Sequence, residues 1–154
     1  MRQINIRPIG SVRTTATEEE IHTQRSNVIS EVVLRKGLEK ALNGIESYSH
    51  IFVIFWMHLV PEQERRKLKA YPRHRVDLPE VGIFSLREIG RPNPIGLAVV
   101  ELLERRENVL RVRGLDAIDG TPVLDIKPYD YIDVKRSITV PDWWLEAHPK
   151  WRSG

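Results

Sequence analysis

The run Ile51-Phe52-Val53-Ile54-Phe55-Trp56-Met57 is the most apolar stretch of the chain, and its reading decides the fold. It is too short for a helix that buries so much surface, so it reads as a central strand. Val28 to Leu34 is rich in β-branched residues and reads as a second strand. Ile95 to Leu103 reads as a third. Val109 to Leu115 alternates, with Val109, Arg111, Arg113 and Leu115 on one face and Leu110, Val112 and Gly114 on the other. Such alternation marks a half-exposed strand. Val81 to Leu86 reads as a short strand, as does Thr121 to Ile126 after the Asp119-Gly120 turn. Ile4 to Val12 reads as a first strand interrupted by Pro8 and Gly10.

Helical signals are fewer. Lys36 to Leu42 carries Leu38, Ala41 and Leu42 at helical spacing, and Asn43-Gly44 supplies a stop. Pro141 to Ala147 reads as a short helix with Asp142 near its start, whereas Thr14 to Asn27 reads as a polar loop. Strand and helix do not alternate as a doubly wound sheet requires. The expected fold is mainly β, a small single-domain β-barrel with a long basic insertion and one or two short helices. The barrel domain is expected over residues 1–140 and a C-terminal tail over 141–154.

A chain of 154 residues fits one domain and can bury a core without staples. Its 24 Lys and Arg against 21 Asp and Glu leave +3, which permits a polyanionic partner without requiring one. The absence of cysteine excludes a disulfide framework, thiolate zinc sites, iron–sulfur clusters and cysteine nucleophiles. No apolar stretch is long enough to span a membrane, and the first residues lack the core of a signal peptide. A cytoplasmic protein is expected. The five histidines lack metal-ligand spacing, and His50 and His58 stand about 27 Å apart at strand rise, so no metal is expected. No phosphate-binding, dinucleotide-binding or nucleophile-elbow motif is present.

Three segments invite a functional reading. The insertion Pro61 to Pro79 gathers Arg65, Arg66, Lys67, Lys69, Arg73, His74 and Arg75. Clustered cations of this kind neutralise phosphates without reading sequence, and Tyr71 or His74 could stack on unpaired bases. They also describe an ordinary solvated loop. Arg91-Pro92-Asn93-Pro94-Ile95-Gly96 holds Asn93 between two prolines, a rigid loop that presents backbone carbonyls and an amide to a ligand or merely joins two strands. Asp116, Asp119 and Asp125 cluster around a turn, where carboxylates cap backbone amides or hold a cation, a ribose or a proton.

Together, "RPNPIGLAVVELL" (Arg91 to Leu103), "LDAIDGTPVLDIKPY" (Leu115 to Tyr129) and "GIESYSHIFVIFWMH" (Gly44 to His58) resemble the TsaA-like, or TrmO-type, family of S-adenosylmethionine-dependent tRNA methyltransferases. The resemblance runs from about Ile9 to Asp133. It implies a small β-barrel, a homodimer with S-adenosyl-L-methionine near the subunit interface, and N6-methylation of N6-threonylcarbamoyladenosine beside the anticodon of a tRNA. It implies cofactor contacts at Arg87, Leu97, His58 and the Gly114, Leu115, Asp116 and Ala117 stretch. Arg25 falls near the arginine of a family P-R-Q motif, here Gln24-Arg25-Ser26. The segment Ser85 to Gly90 departs from the family's A-T-R-S-P, Ala98 replaces a frequent Ser or Thr, and the additional C-terminal domain of many bacterial members is not in this sequence.

A carbamoylated N6 is a poor nucleophile, because its lone pair is delocalised into the carbonyl. The site must therefore accept its proton or stabilise charge on the carbamoyl group. The candidates are His58, Asp116 and Asp119, and a carboxylate needs burial to raise its pKa for the task. Asp116 is also placed to bind adenosyl or ribose groups. Arg87 and Arg91 suit a methionyl carboxylate, with pairing to Glu88 or Glu101 as the competing role. Two other functions fit the residues: methylation of another RNA or a small molecule, and a cofactor- or RNA-binding module without catalysis.

Overall fold

The computed structural model describes residues 2–151; Met1 and residues 152–154, the end of the expected tail, lie outside the described residues. The chain divides into two compact units. The first runs to His58 and resumes over Ile95–Asp133; the second comprises Leu59–Pro94 and the chain from Val134 onward.

The first unit is a closed antiparallel barrel. Its strands are β1 (Gly10–Arg13), β2 (Ile29–Leu34), β3 (His50–Trp56), β6 (Ile95–Arg106), β7 (Val109–Arg113) and β8 (Pro122–Pro128), in the order β1-β2-β7-β6-β3-β8 with β8 returning to β1. Closure removes the sheet edges that would otherwise invite further pairing. The long β6 serves two neighbours. Residues 95–101 pair with β3, and residues 101–106 pair with β7 across a register shift between Leu102 and Glu104. A bulge of this kind bends a strand around a barrel corner.

Alternation sends one residue set inward. Ile51, Val53 and Phe55 of β3 meet Val100 of β6, Leu110 and Val112 of β7, Val32 of β2, Val12 of β1 and Val123 of β8, all nearly or fully buried. Close approach demands a glycine at one point. Gly96 faces Phe55 in register, and a Cβ there would stand 2.2 Å from the Phe55 ring.

Four expectations are corrected. The first strand starts at Gly10, not Ile4: Pro8 has no N–H to donate to a ladder, and Ile4 and Ile6 are exposed. Thr14 to Asn27 is not all loop, since α1 spans Glu18–Gln24. Its start is a capping box, with the Thr17 hydroxyl accepting from the Glu20 amide and the Glu20 carboxylate accepting from the Thr17 amide. The helix expected over Lys36 to Leu42 is a single 3-10 turn, Glu39–Leu42. It is docked by Leu42 in the core and by Arg105, whose guanidinium donates to the Glu39 and Leu42 carbonyls. Finally, the strand expected over Val81 to Leu86 ends at Gly82 and gives way to a 3-10 turn at Ile83–Ser85.

The second unit holds α2 (Glu62–Arg65), a two-stranded ladder of β4 (Lys69–Ala70) and β5 (Val81–Gly82), and α3 (Asp142–Ala147). No helix among the described residues is long and apolar enough to cross a membrane.

Candidate functional site

On the barrel unit, the chain leaves β7 through Gly114, whose φ of +89° suits glycine and whose amide donates to the Val28 carbonyl. The segment Leu115 to Ala117 then runs irregularly toward the Asp119-Gly120 turn. Leu115 and Ala117 are buried and anchor it to the core. Their contribution to any ligand comes from their backbone. Among the described residues, the N–H and C=O groups of Leu115, Asp116 and Ala117 make no hydrogen bond. Unused backbone donors and acceptors in a pinned segment are well suited to reading the polar edge of a ligand.

Asp116 projects outward between the two anchors. Its carboxylate accepts from Arg25 Nη1 at 2.8 Å, across 91 residues of sequence. Both side chains are about half exposed. Arg25 follows α1 directly, so the capping box at Thr17 helps to place it. Nearby residues of the same segment, Gln24, Asn27 and Val28, line a shallow cleft of about 290 Å³ with Thr15, Ala16, Glu20 and Ile29. Asp119 has a different task. Its Oδ1 accepts from the Thr14 amide at 2.9 Å and ties the turn to the chain that enters α1.

His58 closes the barrel unit's β3 side. Its Nδ1 is buried and has no hydrogen-bond partner among the described residues. An unsatisfied buried nitrogen costs on the order of 1–3 kcal/mol, so a partner from a ligand would be favoured there. Leu97 lies on the outward face of β6 and is 63% exposed. With Ile95 and Val99 it forms an apolar row opposite Trp56, Ile54 and Phe52 of β3. The pair Asp125–Lys127, 2.9 Å apart, edges this face, and Tyr129 meets the Phe52 ring edge-on.

On the second unit, Arg87 and Asn93 are exposed and Arg91 is half-buried. Arg87 and Arg91 have no ion-pair partner among the described residues, while Glu101 on the barrel is taken by Arg113 at 2.7 Å. In the insertion, Arg66 pairs with Glu62, Lys67 with Glu64 and Arg75 with Asp77. Arg65 is half-buried and donates to the Val60 carbonyl. Asp77 is held below the ordinary carboxylate value, first by its hydrogen bond from Arg75. Arg75 also donates to the Glu146 carbonyl, so it clamps its own unit. Lys69 and Arg73 have no such partner among the described residues. No group of three or more metal-binding side chains is gathered among the described residues.

The closed six-stranded barrel carries the pinned Leu115–Ala117 segment and the Arg25–Asp116 pair. The family model for the tRNA-methyltransferase O N-terminal domain matches residues 15–134, and the chain belongs to that family. Among its relatives is a probable S-adenosyl-L-methionine-binding protein of Methanothermobacter thermautotrophicus, 46% identical over 86% of this chain and 93% of that protein. The tRNA (adenine(37)-N6)-methyltransferase of Escherichia coli is 40% identical over 58% of this chain and 39% of its own length. A crystal structure of TrmO from Pseudomonas aeruginosa superposes with a TM-score of 0.70 at 29% identity, covering 90% of this chain. This chain spans 61% of that structure, so about two fifths of it have no counterpart here.

Sequence reasoning missed α1, the tie from Asp119 to Thr14, and the outward apolar row on β3 and β6. The first had a signal in Thr17-x-x-Glu20. The other two depend on strand register and on contacts between distant segments.

Proposed function

We propose that this chain binds S-adenosyl-L-methionine and transfers its methyl group to the N6 of N6-threonylcarbamoyladenosine at position 37 of a tRNA, the position named for the Escherichia coli relative. The observation that carries the cofactor reading is the free backbone of Leu115, Asp116 and Ala117 beside the Arg25–Asp116 pair. The backbone groups suit the hydrogen-bonding edge of an adenine, and the Asp116 carboxylate suits ribose hydroxyls. The cofactor supplies a sulfonium methyl group open to in-line attack.

His58 is the residue assigned to accept the N6 proton, because among the three candidates Asp116 is held by Arg25 and Asp119 by Thr14. Asp116 and Asp119 serve other ends in this reading. Asp116 is half exposed and ion-paired, without the burial a carboxylate base needs. Asp119 holds Thr14. Arg87, Arg91 and Asn93 are proposed contacts carried by the second unit. The chain is proposed to act as a homodimer, with the apolar row around Leu97 covered by a second copy, since contiguous exposed apolar surface rimmed by polar groups marks an interface.

Two measurements test this. Calorimetry with S-adenosylhomocysteine is expected to show binding, weakened about tenfold or more by Asp116→Ala as one charge-assisted contact is lost. Labelled S-adenosylmethionine incubated with tRNA is expected to label tRNA, and His58→Ala to abolish most of that transfer while leaving calorimetric binding within a few-fold. Label on a small molecule or another RNA sinks the substrate assignment. Binding without any transfer leaves only the cofactor-binding module.

A further inference from the structure

The insertion is basic in composition, but its cations are not equivalent. Arg66, Lys67 and Arg75 already face carboxylates of their own segment, and Arg65 is half-buried on a carbonyl. A phosphate would have to displace those partners. Lys69 and Arg73 are exposed and carry no such partner among the described residues.

The same two cations alternate with exposed rings. Lys69 lies on β4, and Tyr71, two residues on, continues the extended backbone just past its end, with φ −85° and ψ 129°. Tyr71 is 38% exposed. Across the ladder from Lys69 stands Gly82, so the partner strand puts no side chain opposite it, and the space there is open. Beyond it, the Ile83 amide donates to the Leu68 carbonyl, and Phe84 follows in the 3-10 turn that leaves the ladder. Ile83 is buried while Phe84 is 80% exposed and Leu68 is 71% exposed. Past Tyr71, Arg73 and His74 both adopt left-handed φ values, 52° and 57°. Two successive non-glycine residues in that region cost roughly 1 kcal/mol or more each, and such strain collects at binding sites. The Arg75 clamp to Asp77 and Glu146 holds the loop in place.

We infer that the β4–β5 hairpin is a platform for single-stranded RNA, with Phe84 and Tyr71 stacking on bases and Lys69 and Arg73 meeting phosphates. Alternating rings and cations recognise an unpaired strand without reading its sequence. A duplex would offer phosphates but no open base faces. The inference rests on the RNA half of the proposed function and names the residues that serve it.

The test is fluorescence anisotropy of the full chain with a short labelled single-stranded RNA, repeated with the same strand in a duplex and over a range of salt. The substitutions are all on exposed side chains. K69Q/R73Q is expected to lower the slope of log affinity against log salt by about 1.4, since each lost phosphate contact on a single strand removes about 0.7. F84A is expected to weaken binding about 5- to 100-fold with the slope unchanged. R66Q/K67Q is expected to leave affinity within about twofold and the slope unaltered, because those cations are already paired. Equal losses in R66Q/K67Q and K69Q/R73Q, an unaffected F84A, or a duplex bound as tightly as the single strand would overturn the platform. So would sedimentation showing that F84A dissociates a self-associated form, which makes Phe84 a protein contact. Wild-type protein that binds the strand through these residues but methylates no tRNA overturns the enzyme reading alone. Methylation of tRNA that is indifferent to all three variants overturns the platform alone.

Discussion

Along β3 and the first half of β6, the outward positions are Phe52, Ile54, Trp56, Ile95, Leu97 and Val99. Along β1, β2 and β7, outward positions include Arg13, Glu31, Arg111 and Arg113, which meet Glu104 and Glu101 at the far half of β6. The register sets Arg13 opposite Glu31, Glu31 opposite Arg111, and Arg111 opposite Glu104. Arg13–Glu31, Arg113–Glu101 and Arg106–Glu104 are ion pairs at 2.6–2.7 Å. One side of the barrel wall thus sets paired charges among Ile29, Val33 and Val109, and the other side keeps a continuous apolar row that water does not reward. Both grow from the same alternating strands and enclose the same core. Their difference is what the proposed homodimer would account for, with the apolar side as its contact face.

The largest effect expected from this contrast comes from Leu97→Asp. If the proposed dimer covers this face, an uncompensated carboxylate there costs about 3 kcal/mol, and the dimer dissociation constant should rise roughly 100-fold. Sedimentation equilibrium reads this directly, and a wild-type protein that is monomeric at high concentration breaks the comparison. Gly96→Ala probes the wall between the faces. Its new methyl would press on the Phe55 ring and should lower unfolding stability by about 1–3 kcal/mol in urea denaturation. An unchanged midpoint would mean that Phe55 has room to move.

A smaller effect belongs to the entry of α1, which leads from the charged side to Arg25. Glu20 is held below its ordinary value of 4.5, first by the Thr17 backbone amide and then by the Thr17 hydroxyl. Its support of the helix is therefore complete above pH 4.5 and is lost as pH falls from there through the lowered folded value. The Thr17 amide shift in NMR should titrate with a midpoint below 4.5. A midpoint above that would show that the capping box does not form. Least is expected from Glu31→Ala on the charged side. Exposed pairs contribute little, so stability should stay within about 0.5 kcal/mol and the oligomeric state should not change.

The strands of the barrel were legible because strict alternation and β-branched runs are local properties. Leu110 and Val112 turned inward while Arg111 stayed out, as the alternation of that strand requires. The run from Ile51 to Met57 read as a central strand for its unbroken apolar character. In the barrel its alternate residues Ile51, Val53 and Phe55 fill the core, and Phe52, Ile54 and Trp56 belong to the outward apolar face. Local composition does not distinguish a strand buried on both faces from one whose outward face is apolar. The short helices were harder. Glu39–Leu42 forms one turn because Leu42 and Arg105 hold it, contacts that its own sequence does not contain. The basic insertion looked uniform in composition, and only the ion pairs within it separate Lys69 and Arg73 from Arg66, Lys67 and Arg75.

By itself the sequence determined the six strands of the barrel, the mainly β class, the lack of cysteine chemistry and, through three motifs, the family that residues 15–134 match. Period, turn residues and motif spacing are short-range, so they can be read without coordinates. The tertiary structure alone decided that Arg25 meets Asp116 across 91 residues, that Asp119 ties down Thr14, and that one outward face of the barrel is apolar. Each depends on barrel closure and strand register. Those are set by the whole core packing at once, and no local window of sequence contains them.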